Sequence, residues 1–186
     1  MSYVRLTTTA GAQEPVSIAD LRAFGRIVSG TEDWVLESLL LAARQEIERM
    51  SGLALVPGTF RVSLDCWTQT VDLVPSPVQS VDVVTYQYAD GTAYVVDSDA
   101  YFFDVSRYRL AFARWSEGPW GLRTSAGLEI DVTAGYATRD DVPADVRMDV
   151  LRAALLRYEH RDDPDMLDKA RRAVADSTSS YAVVQI

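Results

Sequence analysis

The segment Gly127-Leu-Glu-Ile-Asp-Val-Thr-Ala-Gly-Tyr136 decides the fold of this chain, because its residues predict a strand and also show where that strand ends. Leu128, Ile130 and Val132 alternate with polar residues, which is the period-2 pattern of a half-buried strand. Gly135 interrupts the alternation. The segment therefore predicts a strand that buries one face against a core and stops before a turn.

A helix is predicted directly after this turn. Pro143 suits the first turn of a helix, where its missing N–H would have no intrahelical partner anyway. Val146, Val150 and Ala153 recur behind it at helical spacing, so the helix has one apolar face. The helical segment ends at Arg157-Tyr-Glu-His-Arg161. Within it, His160 is interpreted either as a cation near the helix C-terminus or as a side chain at the amphipathic edge of the helix.

Further helices are predicted on both sides of this region. Ser17 and Asp20 have the spacing of a capping box, with Asp in the place of Glu. An apolar stripe follows Thr31 at helical spacing and stops at Ser51-Gly52. The predicted helix boundaries are about 17–27, 32–51, 143–161 and 165–175.

Between the helical parts, at about residues 60–134, β-branched and aromatic residues alternate with Pro and Gly. Ala89-Asp-Gly91 predicts a hairpin turn, and Pro75-Ser-Pro77 predicts a corner. Hairpins rather than helical crossovers would then join the strands, which favours antiparallel pairing. The predicted fold class is α+β, a helical bundle with an inserted, mostly antiparallel β region. The predicted strands before residue 127 are Phe60–Cys66, Thr70–Leu73, Val78–Tyr86, Thr92–Val96, Tyr101–Asp104 and Tyr108–Phe112.

Length and composition favour one folded domain. The chain has 186 residues, of which 48% are hydrophobic, which is ample for a core. We expect one domain over residues 1–176, in which the helical parts 15–52 and 143–176 pack together and 60–134 forms an extension. Residues 177–186 would be a tail.

No apolar run reaches the roughly 18 residues of a membrane span, and the N-terminus lacks a signal-peptide pattern, so we expect a soluble protein without a membrane partner.

Charge and cysteine content exclude several functions. The net charge of −9 argues against binding a phosphate backbone, whose affinity depends on Lys and Arg. The single cysteine, Cys66, excludes an internal disulfide and a four-cysteine zinc site. Because Cys66 continues the alternation of Phe60, Val62 and Leu64, it is predicted to be a buried structural thiol.

No pattern in the sequence predicts an enzyme. The chain has no Gly-x-Ser-x-Gly motif, no phosphate-binding loop and no histidine cluster. Asp162, Asp163 and Asp165 could chelate a hard cation, but at a helix start they are better explained as cap and dipole partners. We expect no catalytic residue, no cofactor and no metal.

Three features are candidates for protein contacts, each with a structural alternative. Trp115 and Trp120 lie in a Gly- and Pro-rich loop, where they form a contact surface or cover the end of the sheet. Arg147, Arg157 and Arg161 could pair with acids of a neighbouring subunit, or belong to a solvated face with intrahelical pairs. The segment 177–186 could add as a strand to a partner's sheet, or be disordered or fold back.

Short motifs in a fixed order carry a family resemblance across roughly residues 15–161. They are Val16-Ser-Ile-Ala-Asp-Leu-Arg22, Glu32-Asp33, Ala42-Ala-Arg44, Ile47-Glu48, Ser51-Gly-Leu-Ala-Leu55, Leu73-Val-Pro-Ser-Pro-Val-Gln-Ser-Val81, Tyr88-Ala-Asp-Gly91, Asp131-Val-Thr-Ala-Gly-Tyr136, Val142-Pro143 and Arg157-Tyr-Glu-His-Arg161. In this order they resemble the head-to-tail connector, or adaptor, family of long-tailed bacteriophages and gene-transfer particles. Residues 115–122 and the chain after Asp176 lie outside the matching pattern.

The resemblance implies a structural protein of the virion neck. Such proteins form a ring, commonly dodecameric, that joins the portal to the stopper or tail-completion proteins and lets DNA pass without specific binding. By analogy, Tyr181, Val183, Val184 and Ile186 would contact the portal. Trp115 and Trp120 would contact a neighbouring subunit or the stopper. Another neck component, or an interaction domain unrelated to phages, remains the alternative, and the sequence leaves open whether the particle is infectious.

Overall fold

The computed structural model describes residues 1–28, 32–113 and 118–160, together with Asp163, Asp165, Met166, Asp168 and Arg172. The chain divides into two compact units. The β unit comprises Met1–Gly11 and Pro57–Gly135, and the helical unit comprises Ala12–Val56 and the described residues from Tyr136 onward. None of the helices in the described part of the chain has the length and apolar character that a membrane span requires.

The β unit contains eight strands among the described residues. They are β1 Ser2–Thr8, β2 Gly58–Leu64, β3 Thr70–Asp72, β4 Val78–Gln87, β5 Ala93–Val95, β6 Tyr101–Asp104, β7 Arg109–Phe112 and β8 Leu128–Ala134. A five-stranded sheet has the order β1-β2-β8-β4-β5, and a three-stranded sheet has the order β3-β7-β6. Every pair of neighbouring strands is antiparallel, which confirms the predicted strand direction.

Strand β8 is the centre of the larger sheet, as its sequence pattern suggests. Leu128, Ile130 and Val132 are fully buried, whereas the residues between them are half-buried. Ile130 lies opposite Val62 of β2 on one side and Val84 of β4 on the other. The apolar positions of all three strands therefore face one core, because neighbouring residues in register share a face of the sheet.

The smaller sheet packs on the larger one within the β unit. Phe112 of β7 lies 6.2 Å from Tyr86 of β4 between ring centroids, and Trp67 lies 6.0 Å from Phe112. Leu110 is also fully buried. Aromatic pairs at these separations add to the energy of apolar burial, so this cluster anchors one sheet on the other.

The helical unit contains α1 Ile18–Gly25, α2 Asp33–Ser51 and α3 Ala144–Glu159. Leu36, Leu40 and Ile47 form the buried stripe of α2, as the helical spacing predicts. They pack in one cluster with the buried face of α3 and with Leu21 of α1. Gly52 ends α2 in the left-handed conformation, which glycine adopts without the steric cost of a Cβ.

The fold class α+β is confirmed, but one strand was missed and one prediction of burial was wrong. Strand β1 was not predicted, because Ser2–Thr8 is mostly exposed and lacks a clear apolar alternation. The burial of Cys66 was wrong, since β2 ends at Leu64 and Cys66 lies exposed in the bend that follows. Most of the predicted helix 165–175 and the whole tail 177–186 lie outside the described residues.

The capping box of α1 gives a testable pH dependence. The Ser17 N–H donates to Asp20 Oδ2 at 2.8 Å, and the Asp20 N–H donates to Ser17 Oγ at 3.2 Å. Hydrogen bonds from the backbone and side chain of Ser17, and then Arg139, hold the pKa of the Asp20 carboxyl below its ordinary 3.8. A lowered pKa stabilises the fold above that ordinary value, and the contribution disappears as the pH falls through the folded-state pKa.

We therefore expect Ser17→Ala to reduce the free energy of unfolding by about 1 kcal/mol at neutral pH. The deficit should shrink when urea unfolding is repeated below the ordinary pKa of Asp20, because the protonated carboxyl no longer gains from accepting the Ser17 hydroxyl hydrogen bond. Ser17→Thr is the matched control, since it keeps a capping hydroxyl. A deficit that is equally large in Ser17→Thr would contradict the capping role.

Candidate functional site

Arg157, one of the predicted contact residues, is an internal residue of the helical unit. Its guanidinium forms an ion pair with Glu46 of α2 and also donates to the Ala153 carbonyl at 3.0 Å. The two side chains of the ion pair are 18% and 9% exposed. The pair therefore links α3 to α2 inside this unit, and its first role is structural. Whether Arg157 also contacts another subunit stays a prediction.

Arg147 is the more accessible of the predicted arginines that the structure describes. Its guanidinium lies 3.4 Å from Asp140, whose carboxylate is 85% exposed. Arg152, on the same helix, pairs at 3.3 Å with Asp149 three residues earlier, which is the intrahelical arrangement considered for this face. The Asp140 side of the Arg147 pair is in solvent, and surface ion pairs contribute little to stability, so Arg147 and Asp140 can exchange this partner for another in an assembly.

Trp120 lies on the surface of the β unit. Its side chain is 83% exposed, so it does not cover the end of the sheet. The loop around it is held by backbone hydrogen bonds: the Ala89 N–H donates to the Gly121 carbonyl at 2.9 Å, and the Arg123 N–H donates to the Gln87 carbonyl at 2.8 Å. Trp120 is thus an exposed indole on a loop that is fixed to β4, an arrangement suited to protein contact.

The remaining predicted contact residues fall outside the described part of the chain. These are Trp115 of the loop, Arg161 after α3, and the tail residues Tyr181, Val183, Val184 and Ile186. Their assignments stay predictions.

The outer face of the large sheet carries an ionic network. Arg61 of β2 forms two hydrogen bonds with Asp131 of β8, at 2.7 and 2.8 Å, and lies 3.5 Å from Glu129. Hydrogen bonding to Asp131 is the main cause that raises the pKa of Arg61. Because Arg61 and Asp131 are direct partners in the strand register, this network stabilises strand pairing rather than forming a catalytic centre.

A cavity of about 400 Å³ in the β unit was not predicted. It is lined by Tyr86, Tyr88, Tyr94, Val96, Asp97, Ala100 and Phe112. The sequence does carry a signal for it, because the hairpin turn at Ala89-Asp-Gly91 sets Tyr86 opposite Tyr94. The two rings are nearly parallel, with centroids 6.4 Å apart.

The described residues show no constellation suited to metal chemistry. Within that part of the chain, no group of three or more His, Cys, Asp or Glu side chains converges on one point. Asp163 instead accepts hydrogen bonds from the N–H groups of Asp165 and Met166, at 3.1 Å each, which is a capping arrangement.

Solved structures supply the comparison with known proteins. A chain in the neck of an empty gene transfer agent (GTA) particle, computed with C6 symmetry, matches with a TM-score of 0.74 and 25% identity. A chain in the virion of a native GTA particle matches with 0.72 and 25%, and one in the neck of a native GTA particle, computed with C12 symmetry, with 0.70 and 24%. Each match covers 100% of this chain and 97% of the other. No protein-family model and no curated protein matched.

These matches confirm the resemblance that the ordered motifs predicted. They extend over residues of both units and not only over the part in which the motifs occur. The chain therefore has the fold of a structural neck protein from a phage-like particle.

Proposed function

From its whole-length resemblance to neck proteins of gene transfer agent particles, we propose that this chain is the head-to-tail adaptor of such a particle. In this role it forms a ring that joins the portal to the stopper or tail and encloses the path of the DNA. The observation that carries the proposal is the coverage of the matches, 100% of this chain and 97% of the neck chain, at a TM-score of 0.74.

A ring requires that each copy present two different surfaces, one for each neighbour. The neck structures that this chain resembles were computed with sixfold and twelvefold symmetry, which supports a cyclic assembly and, we propose, a dodecamer in the particle. Trp120 and the Arg147–Asp140 pair supply an exposed aromatic group and exchangeable charges for such contacts. We assign the portal contact to the tail residues Tyr181, Val183, Val184 and Ile186.

The charge of the chain supports a passive relation to DNA. With a net charge of −9, a ring of this chain carries a negative field that repels the phosphate backbone. DNA would pass through such a ring without a binding site on its wall. The role needs no catalytic residue, cofactor or metal, and its place is the neck of the particle.

Order of assembly separates the adaptor from the other neck components. The purified chain should co-sediment with a bare portal ring from its own particle, since an adaptor is the first component added to the portal. A stopper or tail-completion protein would bind only after an adaptor is present. An interaction domain unrelated to phages would bind in neither condition, so each outcome selects one function.

Trp120→Ala tests the contact role of the exposed indole. The substitution should change the free energy of unfolding by less than about 0.5 kcal/mol, because the side chain is mostly in solvent. It should weaken ring formation or stopper binding in sedimentation by about tenfold or more, as expected for a tryptophan at the centre of an interface. Trp34→Ala is the matched control, since this indole is 72% exposed but lies on α2. If ring formation and stopper binding are both unchanged in Trp120→Ala, Trp120 does not belong to the contact surface.

A further inference from the structure

The cavity in the β unit has walls of aromatic rings. Of the residues that line it, Tyr86 and Phe112 are buried, whereas Tyr94 of β5 is about half-exposed. The rings of Tyr86 and Tyr94 are inclined by 13°, and those of Tyr86 and Phe112 by 35°. Burial raises the pKa of the Tyr86 hydroxyl, so this group stays neutral and keeps its proton at physiological pH. The cavity thus combines ring faces with tyrosine hydroxyl groups.

One carboxylate completes the lining. Asp97 is exposed at the mouth of the cavity and caps no helix with its side chain. Other acids of the β unit already have an ion-pair partner. Asp72 pairs with Arg109, and Asp131 pairs with Arg61. Among the described residues, Asp97 has neither an ion pair nor a side-chain hydrogen bond. Its charge is therefore available to a ligand.

Aromatic rings next to an available carboxylate are suited to binding a cation. Aromatic faces attract cations through the ring quadrupole, and the attraction strengthens where the site is partly desolvated. Tyrosine hydroxyls and a carboxylate both accept hydrogen bonds from a guanidinium group, whose planar shape also stacks on a ring. An apolar side chain would instead desolvate Asp97 without giving it a partner, which costs free energy. A volume of about 400 Å³ is sufficient for a long side chain and the backbone beside it.

We propose that this cavity binds an arginine side chain presented by a partner protein. The rings of Tyr86, Tyr94 and Phe112 hold the guanidinium by stacking and cation–π attraction, and Asp97 supplies the opposite charge. The site is built entirely from described residues of the β unit, so it stands whether or not the chain is a neck adaptor.

The test uses the full-length chain and a small probe that isolates the chemistry of the ligand. N-acetyl-arginine methylamide is titrated into isotope-labelled protein, and N-acetyl-leucine methylamide serves as the apolar probe. The arginine probe should shift the ring resonances of Tyr86, Tyr94 and Phe112 in a saturable way at about millimolar concentration, whereas the leucine probe should not. Binding of both probes with equal affinity, or of neither, would overturn the proposal.

Two substitutions locate the charge that is responsible. Asp97→Asn should weaken binding of the arginine probe by about threefold or more, because it removes the carboxylate and keeps the shape. Asp99→Asn removes the same charge two residues away, outside the lining, and should leave the affinity unchanged. Both positions are exposed, so neither variant endangers folding. Equal affinities in the two variants would refute the role of Asp97.

Discussion

Replacing Glu46 with alanine is expected to reduce the free energy of unfolding by about 3 kcal/mol. The side chain of Glu46 is 9% exposed and pairs with Arg157 across the α2–α3 interface of the helical unit. Removing the nearly buried Glu46 carboxylate leaves the half-buried guanidinium of Arg157 with less compensation for its charge, although it keeps its hydrogen bond to the Ala153 carbonyl, and this cost exceeds the net value of the pair. Urea unfolding at neutral pH measures the loss directly.

Arg147→Ala is the control for this experiment. Arg147 also lies on α3, but its partner Asp140 is mostly in solvent, so the loss should be at most about 0.5 kcal/mol. Glu46→Gln should fall between the two, since it keeps hydrogen-bonding atoms and removes the charge. If Glu46→Ala loses no more than Arg147→Ala, the pair is not a structural link between α2 and α3.

The contrast between these arginines affects how assembly mutants are interpreted. A substitution at Arg157 would disturb the helical unit itself, and any loss of a ring could then result from misfolding. A substitution at Arg147 leaves the core cluster intact. Arg147 is therefore the residue through which the predicted pairing between subunits can be examined.

Periodicity predicted those elements in which the pattern of buried and exposed residues is visible in the sequence of the element itself. Strand β8 alternates between apolar and polar residues and is buried accordingly. The stripe of α2 and the capping box of Ser17 and Asp20 were also predicted, because helical spacing and cap chemistry are local properties. Order and spacing of short motifs predicted the likeness to neck proteins, which the solved structures confirm.

The features that were missed depend on neighbours that are distant in sequence. Strand β1 is held by backbone pairing with β2. Because this edge strand is mostly exposed, its sequence has no apolar pattern that would predict it. Cys66 continues the alternation of β2 in sequence but lies beyond the end of the strand. The pairing of the half-buried Arg157 with Glu46 required knowledge of which face of α3 packs on α2. The aromatic cavity required that β5 and β7 be brought to the end of β4.

Truncation after Asp176 is expected to abolish binding of this chain to its portal ring. The tail combines a polar spacer with the β-prone residues Val183, Val184 and Ile186, a composition suited to strand addition on a partner. Strand addition draws its affinity from backbone hydrogen bonds, so deletion of the whole segment removes them together. The fold should persist, because the core clusters of both units lie within the described residues before position 161.

Co-sedimentation of the full-length and truncated chains with the portal ring of the same particle tests the adaptor account most directly. The account predicts that the full-length chain sediments with the ring and that the truncated chain stays in the supernatant as a folded protein. Binding by both forms would keep the adaptor role and move the portal contact away from the tail. Failure of the full-length chain to bind a bare portal ring would contradict the adaptor role itself.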